Sequence, residues 1–341
     1  MRKTSTVLLS AALALSFVTA RGQTKSPATT PVHAVVWAAD GTFQDLGTLG
    51  GDNSYALGIN NHGVVVGYSY LADNVTFHAF LWSPTKGMTD IGATLQKGQK
   101  TWGVGINDHD TAAVTGFLSD GSAVPAAFHL PHFWSHLSPG DSLASLNRSY
   151  GINDNDQVTG QLLISGFKTG FLWDVVTGSV TFVPSLGGGN SIGVAVNNLG
   201  HITGAADIGF SNYDALFWSA DGGSRDIGFL NGSGFTAGGG INDNDEVVGY
   251  NLPALAGFYW SDATGMVPLQ SLGGSVSAAF SINGRGAIAG ESSLPDGTIH
   301  AVRWPGYTSA PEDLGTLTGS GNSYGKAINS AGTVAGYSDA P

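Results

Sequence analysis

The chain has 341 residues, with 25 acids against 13 Lys and Arg, 52 glycines and no cysteine. A net charge of −12 carried on so few cations argues against nucleic acid or anionic lipid as the main partner, because phosphate contact needs clustered Lys and Arg. Without cysteine there are no disulfides, so stability must come from packing.

The first elements read as an export signal. Arg2 and Lys3 supply the positive region, the apolar stretch from Val7 to Val18 is too short to span a bilayer, and Val18-Thr19-Ala20 suits signal peptidase. Cleavage after Ala20 is expected, the alternative being an uncleaved anchor. The mature chain keeps 11 cations and 25 acids, a net −14, and goes to the extracellular space or the periplasm with no membrane span left. Residues 21–32 are expected to be a flexible segment, and residues 33–341 a single domain.

From there one phrase recurs. Ile/Val-Asn, a short turn and a strand ending in Gly repeat at Asn60, Asn107, Asn153, Asn197, Asn242, Asn283 and Asn329, in steps of 47, 46, 44, 45, 41 and 46 residues. Such a period is expected when each repeat is one small sheet stacked in a ring or array. Within the copy from Gly50 to Gly92, the pattern resolves into four short strands. Residues 54–60 alternate with a period of two, Asn61-His62-Gly63 makes a tight hairpin, and residues 64–69 are a β-branched run. A longer loop, 70–77, leads to His78-Ala79-Phe80-Leu81-Trp82, and a turn at 83–87 leads to a fourth strand, 88–92. No helical period competes, which predicts an all-β fold.

The first strand of each copy keeps one face bare. Six residues before the Asn stand Ser54, Thr101, Asn147, Ser191, Thr236, Ser277 and Ser323, and the residues four and two before it are Gly, Ala or Ser throughout. Glycine weakens a strand unless something must approach closely. The expected visitor is the ring of Trp37, Trp82, Trp173, Trp218, Trp260 or Trp304 from a neighbouring sheet, which makes both sets structural. In the third copy, spacing assigns Leu130 to the Trp position and Trp134 to an altered turn and fourth strand.

The chain opens on a third-strand phrase, residues 33–37, and closes just after a second strand, residues 332–338. The two ends are therefore complementary, and joining them removes exposed sheet edges. The expectation is a seven-bladed β-propeller of four-stranded blades, closed by N-terminal strands that complete the C-terminal blade. An open solenoid is the alternative. The order of strands matches the WD40 repeat, so by that analogy the Ser-to-Asn strand lies innermost.

Three linked phrases, His78-Ala79-Phe80-Leu81-Trp82, Asp45-Leu46-Gly47-Thr48-Leu49-Gly50-Gly51 and residues 59–67, together resemble the HAF family of probable extracellular repeat proteins. The resemblance covers about residues 33 to 338. It implies bacterial export and a propeller-like fold, and it brings no catalytic residue or ligand. The His of the phrase is kept at His33, His78 and His300, whereas Ala126, Thr169, Asp214 and Ala256 replace it elsewhere. These three His are expected to bond across to Ser or Thr of the bare-faced strand, as in WD40 blades.

Other candidates are weaker. The turns 153–156 and 242–246 are rich in Asn and Asp, but they lack the central Gly and distant Glu of an EF-hand and read as plain hairpins. His129, His132 and His136 form the one histidine cluster and are the weak metal candidates, a surface turn being the alternative. No nucleophile elbow, phosphate loop or zinc-hydrolase helix is present, and no cofactor is expected. The longer loops after the second and fourth strands share one face, and variable loops on a rigid ring are where recognition resides. Tyr70, Asp73, Phe77, Asp120, Phe210, Tyr213 and Asp296 are the candidate contact residues. A secreted, monomeric, non-catalytic binding or scaffold protein for an extracellular glycan or protein is the expectation. The rival is a polysaccharide hydrolase or lyase working at the channel mouth, which would need two acids outside the repeat pattern to converge there. The acids outside that pattern are Asp73, Asp120, Asp141, Asp174, Asp207, Glu291 and Asp296.

Overall fold

The computed structural model describes residues 30–94, 99–129, 133–137, 147–209, 212–230 and 234–341. The export signal, Leu130, His132 and Phe210 lie outside the described residues. Those described form an all-β propeller, with a short 3-10 turn at Gly92–Thr94. No helix among them is long and apolar enough to cross a membrane.

Five sheets are four-stranded and antiparallel, each taking its strands in chain order. A sixth has eight strands. In it the C-terminal hairpin of Ser323–Ile328 and Val334–Asp339 pairs with the N-terminal strand Val32–Trp37 through six consecutive residue pairs, from Val32↔Asp339 to Trp37↔Val334. That strand opens one residue before the expected boundary at His33, and Ala340 N donates to Pro31 O to fasten the last residues as well. The expected seven separate sheets are thus not found as such, because one parallel pair, Val32↔Asn53, links this terminal set to the strands from Gly50 to Asp90.

The seven repeated Asn residues close a circle. The Nδ2 of Asn60 donates to Asn107 O, Asn107 to Asn153, Asn153 to Asn197, Asn197 to Asn242, Asn242 to Asn283, Asn283 to Asn329 and Asn329 back to Asn60, at 2.7–3.2 Å. Each Oδ1 meanwhile accepts two backbone N–H groups of its own hairpin, as Asn60 does from His62 and Val64. Only a short side chain that is donor and acceptor at once can do both, and Asn is that side chain. The residue three positions later has positive φ in every copy, and Asp110, Asp156 and Asp245 hold the place that Gly holds in the others. There the acid accepts the second Nδ2 proton of the preceding repeat's Asn, so the Asp-rich turns are hairpins whose carboxylates serve the circle.

A second tie runs along the bare-faced strands. The Ser54 hydroxyl accepts from Ala34 N and donates to Gly47 O, and Thr101, Ser191, Thr236, Ser277 and Ser323 accept likewise from Ala79, Gly170, Ala215, Gly257 and Ala301. These hydroxyls are therefore already engaged. Contrary to the sequence expectation, the ring nitrogens of His33, His78 and His300 turn instead to Asp45, Asp90 and Asp313 on the fourth strand, each at 2.8 Å.

Every innermost strand also carries a register shift between the two small positions, as at Ala56/Gly58, Gly193/Ala195 and Gly325/Ala327. The shift drives a carbonyl towards the second strand, where a Cβ on Gly67 would collide with the Tyr55 carbonyl. The bare face is filled by backbone and by second-strand side chains: a Cβ at Gly58 would stand 3.1 Å from the Cα of Gly105 in the next sheet, and one at Gly193 or Gly238 would collide with the Thr159 or Thr203 hydroxyl of the preceding sheet. The Trp rings of the repeated phrase are buried, and Trp82 and Trp260 cluster with Ala327 and Ala195 on inner strands of the neighbouring repeats. Trp218 clusters with Leu172 and Val183 of the preceding sheet, and Trp304 with Val248 and Leu269. At the glycines of the inner strands, close approach of neighbouring strands rather than an indole requires the missing side chain.

One His position is occupied by a buried acid, Asp214, facing Asp226 where three other repeats have a His–Asp pair. Its ionised form has no donor among the described residues. Burial, reinforced by Asp226, pushes its carboxyl up to about 6. The folded state then binds more protons than the unfolded chain between about pH 4 and 6, so stability falls as pH rises through that window and levels off above it. The loss is on the order of 3 kcal/mol. Asp214→Asn is expected to flatten this slope in denaturant titrations at pH 4 and 7, and Asp214→His to raise the pH 7 midpoint; an unchanged slope in Asp214→Asn counts against the assignment.

The circle makes a separate prediction. Asn107→Ala orphans two N–H groups and the Asn153 carbonyl, and is expected to cost about 3 kcal/mol or more, with Asn107→Asp no better because it supplies no donor. Asn61→Ala at the exposed rim, measured by the same chemical denaturation, should cost under about 1 kcal/mol.

Candidate functional site

The register shift leaves one residue of each inner strand, three before the repeated Asn, without a partner across the ladder. Bulges of this kind re-aim a side chain. Here Leu57, Val104, Tyr150, Val194, Gly239, Phe280 and Lys326 project into the axial channel and line a cavity of about 240 Å³ on the loop side. Ile59, Ile106, Ile152, Val196, Ile241, Ile282 and Ile328 form an apolar ring that separates it from a second cavity of about 240 Å³ at the tight-turn end.

The tight-turn mouth is polar and internally satisfied. Asn61 N donates to Asp108, Asp108 N to Asp154, Asp154 N to Asn198, Asn198 N to Asp243 and Ser330 N to Asn61, at 2.8–2.9 Å. The loop-side mouth is different in kind. An arc of rings runs round it: Tyr250 and Phe280 at 6.1 Å, Tyr324 and Tyr337 at 4.9 Å, Tyr337 and Tyr55 at 5.0 Å, Tyr55 stacked on Tyr68 at 4.7 Å, Tyr68 and Trp102 at 5.8 Å, and Trp102 edge-on to Phe117 at 4.7 Å. Between the ends of the arc the walls are small or aliphatic, with Ile192 and Ala205.

Three cations are set among these rings. Lys326 Nζ lies 3.8 Å over Phe280 and 3.0 Å from Glu291, both charges being buried. The Arg148 guanidinium lies 4.7 Å from the Phe117 centroid and 5.5 Å from Trp102, and Lys100 lies 5.2 Å over Phe77. Such contacts are strongest where water is excluded. Burial pushes the Tyr150 and Tyr324 hydroxyls up to about 12, with Glu291 and Asp339 adding to the shift at Tyr324. Both stay neutral at ordinary pH.

Of the candidates read from the sequence, Tyr70 and Phe77 join this arc, their rings 5.7 Å apart and each beside Tyr68. The others are dispersed. Asp73 binds its own turn, where the Thr76 hydroxyl and the Val75 and Thr76 amides hold its carboxyl down to about 2. Asp120 and Asp296 cap their loops in the same way. Tyr213 is buried beside Phe235 in a separate cluster. His129 contacts Thr111 and Ser135, and His136 stacks on Trp134. Trp134 itself lies on the fourth strand of its sheet, opposite Phe128.

Sequence reading missed Tyr55, Trp102, Arg148, Tyr324, Phe280 and Lys326, and, on a second strand, Tyr337; it singled out Glu291 only as a possible catalytic acid. The signal was available at the positions five and three before each Asn, which vary in type inside a strand whose alternate positions are uniformly small.

No protein-family profile matches the chain, and no curated protein matches it in sequence. The resemblance to HAF repeats therefore rests on its three phrases. Solved structures do share the fold. A putative TolB from Agrobacterium tumefaciens aligns at a TM-score of 0.51 and 9% identity over 92% of this chain and 100% of its own. A catalytically inactive virginiamycin B lyase from Staphylococcus aureus with quinupristin aligns at 0.52 and 9% identity over 84% of this chain and 95% of its own. At such identity the likeness shows the β-propeller alone.

The Lys326–Glu291 pair is testable independently of any ligand. Removing one member leaves the other charge buried, so Glu291→Ala is expected to cost about 3–5 kcal/mol in chemical denaturation, and the double variant Lys326→Met, Glu291→Leu far less.

Proposed function

We propose that the chain is an exported, non-catalytic binding propeller of seven blades that takes an extracellular glycan or protein at its aromatic mouth. The seven-blade count treats the eight-stranded sheet as two blades, a reading supported by the single residue pair that joins its halves and by the seven-membered Asn circle. Export rests on the signal read at residues 1–20.

The observation that carries the binding reading is the departure from symmetry. Repeated residues satisfy one another around the ring and offer the same chemistry seven times. A distinctive site needs residues that differ from copy to copy, and these collect at the loop-side mouth, where half-exposed rings stand next to small residues. Tyr55, Tyr70, Phe117 and Tyr324 present flat faces suited to sugar rings or apolar side chains.

The hydrolase or lyase reading has less support. It requires two carboxylates outside the repeat pattern, free to act at the axis. Glu291 is held by Lys326, Asp174 caps its own turn, and Asp207 accepts from Asn190. Asp73, Asp120 and Asp296 are likewise engaged in their own loops, and Asp141 lies outside the described residues.

Array screening of the mature chain 21–341 against glycans and surface proteins, with hydrolysis assays on the hits, tests this reading. Binding without turnover is expected, with at least a tenfold loss in Tyr55→Ala or Tyr324→Ala and none in Asn61→Ala on the opposite face. Turnover, or binding lost only in the turn-face variant, would overturn it.

A further inference from the structure

The chain is strongly acidic, yet its aromatic mouth is lined by cations. Among the described residues there are eight Lys and Arg, and Lys100, Arg148 and Lys326 all lie on inner strands, among the rings of the arc. Lys326 is spoken for by Glu291. Arg148 is not: it is half-buried, its Nη1 donates to the carbonyl of Asn147, and no carboxylate pairs with it among the described residues. Burial lowers its pKa from the ordinary guanidinium value, in keeping with a charge drawn partly out of water. Tyr150, two residues on, lines the cavity directly.

A guanidinium lying against Phe117 and Trp102 is oriented by those rings, and a planar fork of donors matches a carboxylate better than it matches a neutral hydroxyl. The chain's net charge repels an anion at long range. A partly buried cation is screened less than one in open solvent, so it can overcome that repulsion locally. Neighbouring rings that are half-exposed add stacking faces for pyranose rings.

Resting on the binding function proposed above, we infer that the ligand is an anionic oligosaccharide built of hexuronate units, with one carboxylate seated on Arg148 and adjoining sugar faces on the rings of the arc. Glycans that carry charge on carboxylates are then distinguished from neutral glycans by this one residue, and Lys100 on the far side of the Phe77–Trp102 pair provides a second anchor for a longer chain.

The test uses calorimetric titration of the mature chain 21–341 with oligouronates, with the same oligomers after carboxyl reduction to neutral sugars, and with sulfated oligosaccharides of equal length. The expected result is binding of the oligouronate, weakened at least tenfold by carboxyl reduction and by Arg148→Gln, with partial recovery in Arg148→Lys. The reduced-ligand arm uses unaltered protein, so a folding defect in a variant does not obscure the outcome. Equal binding of reduced and charged oligomers, or preference for sulfate, overturns the inference while leaving the binding propeller intact. Failure of every oligosaccharide to bind, alongside a protein ligand lost in Tyr55→Ala, overturns the glycan assignment. Loss of no ligand in Tyr55→Ala overturns the proposed function itself.

Discussion

The circle of Asn side chains is the constraint on which the rest depends. Each amide holds its own hairpin through Oδ1 and grips the next repeat through Nδ2. The local turn and the ring are therefore specified by one group. A propeller has no covalent link between its first and last sheets, and the same side-chain hydrogen bond, from Asn329 Nδ2 to Asn60 O, spans that gap beside the terminal strand pairing. Both seals have to form together, because pairing Val32–Trp37 with Val334–Asp339 brings the two hairpins to the correct spacing.

Crowding at the axis follows from this closure. With the inner strands in backbone contact, small residues are compulsory at two positions, and the register shift between them turns the intervening side chain into the channel. Structure and recognition are thereby separated on a single strand. The small positions and the Asn serve the ring and barely vary, whereas the shifted position carries Leu, Val, Tyr, Gly, Phe or Lys without disturbing the ladder. The same backbone can therefore present a different mouth on each copy.

Charge is arranged along the same axis. Acids gather at the tight-turn end, where amides of the neighbouring repeat neutralise them locally, and cations gather at the loop end among aromatic rings. An apolar Ile/Val ring lies between the two. Asp214 marks where the His of a repeated His–Asp pair has been replaced, so a buried carboxyl stands where His33, His78 and His300 set a ring nitrogen against the fourth-strand acid.

Much of the architecture was legible in the sequence. Seven Asn at a near-constant step, strand-length alternation and complementary ends define an all-β ring, because each depends on local periodicity and on chain order. The Trp residues and the small residues were legible as sets and only in part as partners, since which surfaces meet across sheets depends on how tightly the inner strands converge. The His partners were misjudged for the same reason: the Ser and Thr hydroxyls are taken by backbone groups of the neighbouring sheet, which no linear reading exposes. Tyr70 and Phe77 could be picked out from loop position alone. Arg148, Tyr324 and Lys326 sit inside regular strands, and only the tertiary structure, by bringing the inner strands round one axis, gathers them into a mouth with a definite charge and shape. The sequence by itself determined the repeat and its closure, because those are properties of spacing; the tertiary structure decided the site, because a site is a property of distance between residues far apart in the chain.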